Sequence, residues 1–176
     1  MSWSIADIDV DFVADPSPQT VTRGTEVTLP LLFADSVVVT SENGGASQYS
    51  TGYSFEYEST LAEPSASLAA YRELREFLTY AGDETVRRGT TDRGVPWFRQ
   101  RLPDSSPVES LVVDVAAPDS HPEPRDFWGI VVGGEDISVA TADYRQLELT
   151  LFVLAERSAF DDREAVEAEF GDEIQV

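Results

Sequence analysis

Apolar residues recur at every second position along most of this chain. Ile8, Val10 and Phe12 alternate with Asp7, Asp9 and Asp11; Val27, Leu29, Leu31 and Phe33 repeat the pattern; Leu147, Leu149, Leu151 and Val153 alternate with polar Glu148 and Thr150. Successive side chains of an extended backbone point to opposite faces, so this period belongs to half-buried strands. Pro30 lacks a backbone donor and predicts an edge or a bulge in its strand. SVVVT and GYSFEY, the latter with Tyr53, Phe55 and Tyr57 on one face, read as strands on either side of a Gly/Ser-rich loop. SLVVDV, DFWGIVV and YRQLELTLFVLAE read as the later strands. In VVGGEDIS, residues 131 to 138, two glycines with no helix after them predict a tight hairpin turn.

The period changes once. From Ser65 to Tyr80 the apolar positions Leu68, Tyr71, Leu74 and Leu78 recur at helical spacing, with Pro64 suited to the first turn and Gly82 placed to end it. A short acidic helix is expected from Asp162 to Phe170. Strands, one central helix, then strands predict a mainly β fold: an antiparallel β-sandwich or barrel with one packed α-helix, plus a short C-terminal helix. Strands without alternating helices argue against a doubly wound nucleotide fold. At 176 residues the chain is expected to form a single domain. Its β core spans about residues 5–155, and an acidic helical extension about 156–176.

Charge describes the solvent. Acids outnumber bases 33 to 12, and every base is arginine. That composition is expected of a protein working in molar salt, which suggests a haloarchaeal host or virus. At about 1 M salt the Debye length is roughly 3 Å, so only direct contacts count. The absence of cysteine rules out disulfides, and the apolar runs fall far short of the roughly 20 residues needed to cross a bilayer. The N-terminus has no basic region ahead of an apolar one, so a soluble, non-secreted chain with no membrane partner is expected.

Catalysis has few candidates. The one histidine, His121, sits in a proline-flanked loop, and no nucleophile elbow, P-loop or dinucleotide motif is present. The expectation is a non-enzyme with no cofactor and no metal. Asp7, Asp9 and Asp11 alternate along a strand, where a calcium loop would need a sharp turn, so they read as a solvated acidic face.

Two stretches resist explanation by solvent. Residues 87 to 101 hold five of the twelve arginines and one acid, around a Pro96-Trp97-Phe98 knot. Arginines beside aromatics in a proline-stiffened loop have the composition of an interface anchor, and the carboxylate-rich surface of a second copy is the natural counterpart. The candidate contact residues are Arg87, Arg88, Arg93, Pro96, Trp97, Phe98, Arg99 and Arg101. The competing reading has Trp97 and Phe98 cap the chain's own core while the arginines pair internally. Single-stranded nucleic acid is disfavoured because phosphate contacts weaken steeply with salt. Residues 36 to 54 carry only Glu42 as a charge, so this loop, with Asn43, Gly44, Gly45 and Tyr49, is expected to be covered.

The order GYSFEYES, SLAAYRELREFLTYAG, SLVVDV, DFWGIVV and DYRQLELTLFVLAE resembles the tail-tube protein family of long-tailed viruses, here as a haloarchaeal virus member. In that family two antiparallel sheets pack with one helix, a long hairpin loop precedes the helix, and a W-G-x-V type strand comes before the last alternating strand. Trp128, Gly129 and Val131 stand in that strand, and residues 41–52 stand where the long loop would be. The resemblance covers residues 1 to about 155. It implies a homo-hexameric ring that stacks into a tail tube in the virion, assembled in the host cytoplasm at high salt. The implied partners are copies of itself and other virion tail proteins. DNA would pass without sticking, along a lumen or solvent face carrying Asp7, Asp9 and Asp11. The long insert after the helix and the extra C-terminal helix depart from a plain tube subunit and leave room for a distal tail or baseplate ring protein. The alternative of another class is a monomeric haloarchaeal module binding a sugar or small acid at the arginine and tryptophan loop.

Overall fold

The computed structural model describes residues 3–12, 22–33, 36–38, 56–58, 64–117, 126–138 and 145–171. In chain order these form β1 (Trp3–Ile5), β2 (Ile8–Phe12), β3 (Glu26–Phe33), β4 (Ser36–Val38), β5 (Glu56–Glu58), α1 (Pro64–Tyr80), β6 (Val86–Thr90) and β7 (Pro96–Gln100). After these come β8 (Val112–Ala116), β9 (Phe127–Asp136), β10 (Arg145–Glu156), a 3₁₀ turn (Arg157–Ala159) and α2 (Arg163–Phe170). The fold is mainly β. Six strands curl into a closed antiparallel barrel in the order β1, β2, β3, β10, β9, β8, and β8 returns to β1 through Ser4↔Ala116 and Ile5↔Val115. Outside it lie two separate ribbons, β4–β5 and β6–β7.

Short-range chemistry fixes the joints. Ile5 faces Ile8 across a two-residue turn in which Ala6 and Asp7 both have positive φ, 52° and 64°. That backbone matches the twist of a tight hairpin, and the Ala6 N–H donates to the Asp114 carbonyl at 3.0 Å, tying the turn to β8. Asp7 is therefore a turn residue. Only Asp9 and Asp11 lie in β2, so the expected face of three aspartates on one strand does not form. β3 pairs with β10 along its whole length, but meets β2 only at Leu31 and Leu32. Pro30 lies inside this ladder, opposite Glu148 of β10.

Two cores follow from this topology. The first fills the barrel, where Leu29, Leu31, Val113, Leu147 and Leu149 are buried together with Tyr71 and Leu74 of α1. The helix packs on β2, β3, β9 and β10, and Tyr71 meets Phe33 edge-on at 5.7 Å. The second core lies outside the wall formed by β8, β9 and β10. There Val112, Trp128, Ile130, Phe152 and Leu154 are covered by Val86 and Phe98 of the β6–β7 ribbon and by Val166 and Phe170 of α2. Strands buried on both faces need apolar side chains at consecutive positions, which accounts for the unbroken FWGIVV and LFVLA runs. Each fully buried large side chain contributes about 1.5–3 kcal/mol. α2 is consequently part of this core, not an appendage; Asp162 caps it by accepting from the Ala165 N–H at 2.8 Å.

One further expectation is corrected. The glycines of VVGGEDIS make no turn, because β9 runs through them to Asp136. Thr150 pairs with Gly133 and Leu151 with Val131, so a bulge at Val132 absorbs one residue. Gly134, at φ 147°, lies so close to β10 and α1 that a β-carbon there would come within 2.5 Å of Leu78 Cδ2, and closer still to the Glu148 carbonyl oxygen.

Candidate functional site

The arginine-rich stretch expected as a loop is a β-hairpin. Its register pairs Val86 with Gln100, Arg87 with Arg99, Arg88 with Phe98, Gly89 with Trp97 and Thr90 with Pro96. The turn at 91–95 closes with Thr91 N–H donating to the Val95 carbonyl at 2.8 Å and Gly94 N–H to the Thr91 carbonyl at 2.9 Å. Gly94 supplies the positive φ, 78°, that this turn requires.

Strand alternation sorts the predicted contact residues into two sets. Val86, Arg88, Pro96, Phe98 and Gln100 face the second core. Phe98 is 1% exposed, so it anchors the hairpin to its own chain and is not available to a neighbour. Pro96 is buried beside it. Arg88 Nη2 donates to Glu26 Oε1 at 2.6 Å and Nη1 to Asp83 Oδ1 at 3.3 Å; the Glu26 hydrogen bond holds this guanidinium's pKa above its ordinary value against the opposing effect of burial. Gln100 takes both its amide ends inward, donating to Ser110 Oγ and accepting from the Leu111 N–H, each at 2.8 Å. These three, Arg88, Pro96 and Phe98, are internal anchors, as the competing reading of the sequence expected for Phe98 and, through internal pairing, for Arg88.

The outer set is different. Arg87 and Arg99 stand directly opposite each other, and the Arg101 N–H extends the ladder by donating to the Thr85 carbonyl at 2.8 Å. Arg87, Arg99 and Arg101, with Glu84 and Thr85, line a shallow depression of about 130 Å³. No ion pair or hydrogen bond joins these three guanidiniums to any described side chain, whereas Arg75, Arg88, Arg157 and Arg163 are each held by at least one carboxylate. Trp97 lies half-buried on the same face, its ring against Gly89. A β-carbon at Gly89 would approach Trp97 Cζ2 to 2.5 Å, so only glycine lets the indole lie across the hairpin. Arg93 sits exposed at the turn, away from this cluster. Asn43, Gly44, Gly45, Tyr49 and His121 lie outside the described residues.

Two polar clusters had no clear signal in the sequence. Asp114, 8% exposed, receives Arg157 Nε at 2.9 Å; the same guanidinium stands 5.7 Å from the Trp128 ring centroid, and Trp128 Nε1 donates to the Arg157 carbonyl at 3.0 Å. An acid inside the apolar run VVDVA was the one available hint. At the other end of the fold, Tyr71 donates its hydroxyl to Asp136 Oδ2, the Ser138 N–H donates to Oδ1 at 3.0 Å, and Arg75 Nε stands 3.5 Å away. Burial opposes ionisation of Asp136, but the hydrogen bonds from Ser138 and Tyr71 outweigh it and hold its pKa below the ordinary value. Burial and the bond to Asp136 push the Tyr71 hydroxyl up. Both clusters fasten elements together: the first joins β8, β9 and the 3₁₀ turn, the second α1 to the end of β9.

Among the described residues no group of three or more His, Cys, Asp or Glu side chains converges to hold a metal, and no helix is long and apolar enough to cross a membrane. Compared with known proteins, the chain matches no family model, no curated protein and no solved structure.

Proposed function

We propose that this chain is a non-enzymatic building block that assembles with copies of itself, in the manner of the tail-tube family it resembles. The observation that carries the reading is the β4–β5 ribbon. Ser36–Val38 pairs with Glu56–Glu58 as a two-stranded sheet of its own, outside the barrel and immediately before α1. A two-stranded ribbon is at best marginally stable in water without a surface to lie on, and the residues between its strands are the charge-poor segment of an otherwise acidic chain. A closed barrel with α1 packed on it, carrying a long hairpin ahead of that helix, agrees with the element order of the resemblance. In this reading the copies form a ring, the rings stack through the long hairpin into a tail tube or a distal tail ring, and DNA passes through. Its place is the virion tail, among other tail proteins.

A second reading has one observation in its favour. The depression between Arg87, Arg99 and Arg101 could hold a small acid in a monomeric binding module. Sedimentation of the purified chain in about 1 M salt, where long-range repulsion is screened, separates the two: a ring or stack supports assembly, and a monomer at all concentrations refutes it. Deleting residues 41–52 should abolish stacking while leaving the barrel's thermal unfolding unchanged. Stacking that survives the deletion would remove the ribbon from the account.

A further inference from the structure

We propose that the outer face of the β6–β7 hairpin, centred on Arg87, Arg99 and Arg101, is a receptor for side-chain carboxylates of a second copy of this chain; the inference rests on the assembly reading above and names the chemistry of one of its contacts.

Like charges directly opposite on paired strands repel, and Arg87 faces Arg99 across the hairpin. Arg101 brings a third guanidinium to the same depression. A chain with 33 acids could supply neutralising carboxylates here as it does for Arg88, which holds Glu26 and Asp83. Among the described residues none is matched to this face. Glu84, the one acid on the wall, forms no ion pair with any of the three, so the depression carries a net charge of about +2, suited to one or two carboxylates.

Size and charge select the occupant. The depression, about 130 Å³, has room for roughly four waters and lies well below the roughly 300–1,000 Å³ of sites that enclose small organic ligands. A carboxylate head fits that space and takes the bidentate geometry of a guanidinium fork. Nucleic acid draws much of its affinity from release of the counterions condensed on the polyanion, a gain that shrinks steeply as salt rises. A second copy, by contrast, brings 33 acidic residues. Short bidentate contacts of this kind remain effective when salt has screened the repulsion between two acidic bodies. The half-buried Trp97 ring beside the arginines gives the contact an apolar border that excludes water.

The test compares the full chain with Arg87→Ala/Arg99→Ala/Arg101→Ala and with the corresponding triple Arg→Lys variant, by sedimentation in about 1 M salt, with thermal unfolding of each. The alanine variant is expected to keep its melting temperature and to weaken assembly by roughly 100-fold or more, as loss of a central arginine anchor does. The lysine variant, which keeps charge and loses the fork, is expected to fall between the two. If the parent chain assembles and both variants assemble equally well, this inference fails and the assembly reading stands. If the parent is monomeric throughout, both fail together. Should the alanine variant unfold, the lysine variant decides: folded and weakened in assembly supports the receptor, folded and unweakened overturns it. Acetate and inorganic phosphate are titrated onto the parent by calorimetry; binding of either at micromolar concentration without any change in assembly would assign the face to a free anion and overturn the proposal.

Discussion

Gly133 and Gly134 are adjacent, lie in the same strand and have identical chemistry, yet the fold demands glycine at only one of them. At Gly133 an added β-carbon meets nothing within 4 Å. At Gly134 it would come within 2.5 Å of Leu78 Cδ2 and nearer still to the Glu148 carbonyl oxygen, on a backbone of φ 147°. A carbon needs about 3.3 Å from a carbonyl oxygen, so β9 would have to move from β10 by an ångström or more. Three costs add. Forcing a side chain onto that backbone costs about 1–3 kcal/mol, each ladder hydrogen bond stretched between Gly134 and Leu149 about 1 kcal/mol, and displacement of Leu78 loosens α1. Gly134→Ala should therefore lose at least about 3 kcal/mol, which for a chain of this size is a fall of roughly 6–12 °C in melting temperature. Gly133→Ala should stay within about 1 kcal/mol of the parent. Urea denaturation of the three proteins under one salt condition measures both. Equal losses in the two variants would refute the bulge and the close approach of α1, and would restore these glycines to a turn.

Three other expectations follow from the same contacts. Phe98→Ala should lose about 3–5 kcal/mol, because its ring is fully enclosed between the β8–β10 wall and α2; a loss below 1 kcal/mol by chemical denaturation would mean the hairpin does not seal that core. Arg157→Ala should cost about 2 kcal/mol by leaving Asp114 buried without its cation, less than a fully buried pair because the Arg157 side chain is 40% exposed; adding Asp114→Asn should recover part of it, and a double variant worse than the single would contradict the pairing. Asp136 has a folded pKa below its unfolded value of 3.8, so the stability it contributes is present above that value and is lost as pH falls through the lowered one. The stability gap between the parent and Asp136→Asn should accordingly be constant above about pH 5 and shrink below about pH 4. A gap that widened in acid would reverse the assignment.

Most of the barrel was legible because its signals are local. β3, β8, β9 and β10 carry alternation or apolar runs within a few residues, α1 carries helical spacing, and Asp162 is a capping residue at the start of α2. The β6–β7 hairpin was hidden for a physical reason. The hairpin's inner face is Val86, Arg88, Pro96, Phe98 and Gln100, two of the five polar, and those polar groups are satisfied by Glu26, Asp83, Ser110 and Leu111, all outside the hairpin. Period two does not survive when distant partners neutralise the inward positions. The same distance effect hid the glycine bulge, which depends on Glu148 and Leu78. Of the candidate contact residues, composition alone picked out the arginines, but only the strand register separates Arg87, Arg99 and Arg101, which face outward together, from Arg88, Pro96 and Phe98, which face in.

Chemical footprinting of arginine in the proposed assembly addresses the outward cluster directly. Phenylglyoxal modification, read residue by residue by mass spectrometry, is applied to the assembled form and to a dilute or variant monomer. Arg87, Arg99 and Arg101 should be protected in the particle and reactive in the monomer, while Arg93 and Arg72 serve as references for exposed arginine. Equal reactivity of the three in a particle of confirmed high mass would contradict the claim that a neighbouring copy covers this face.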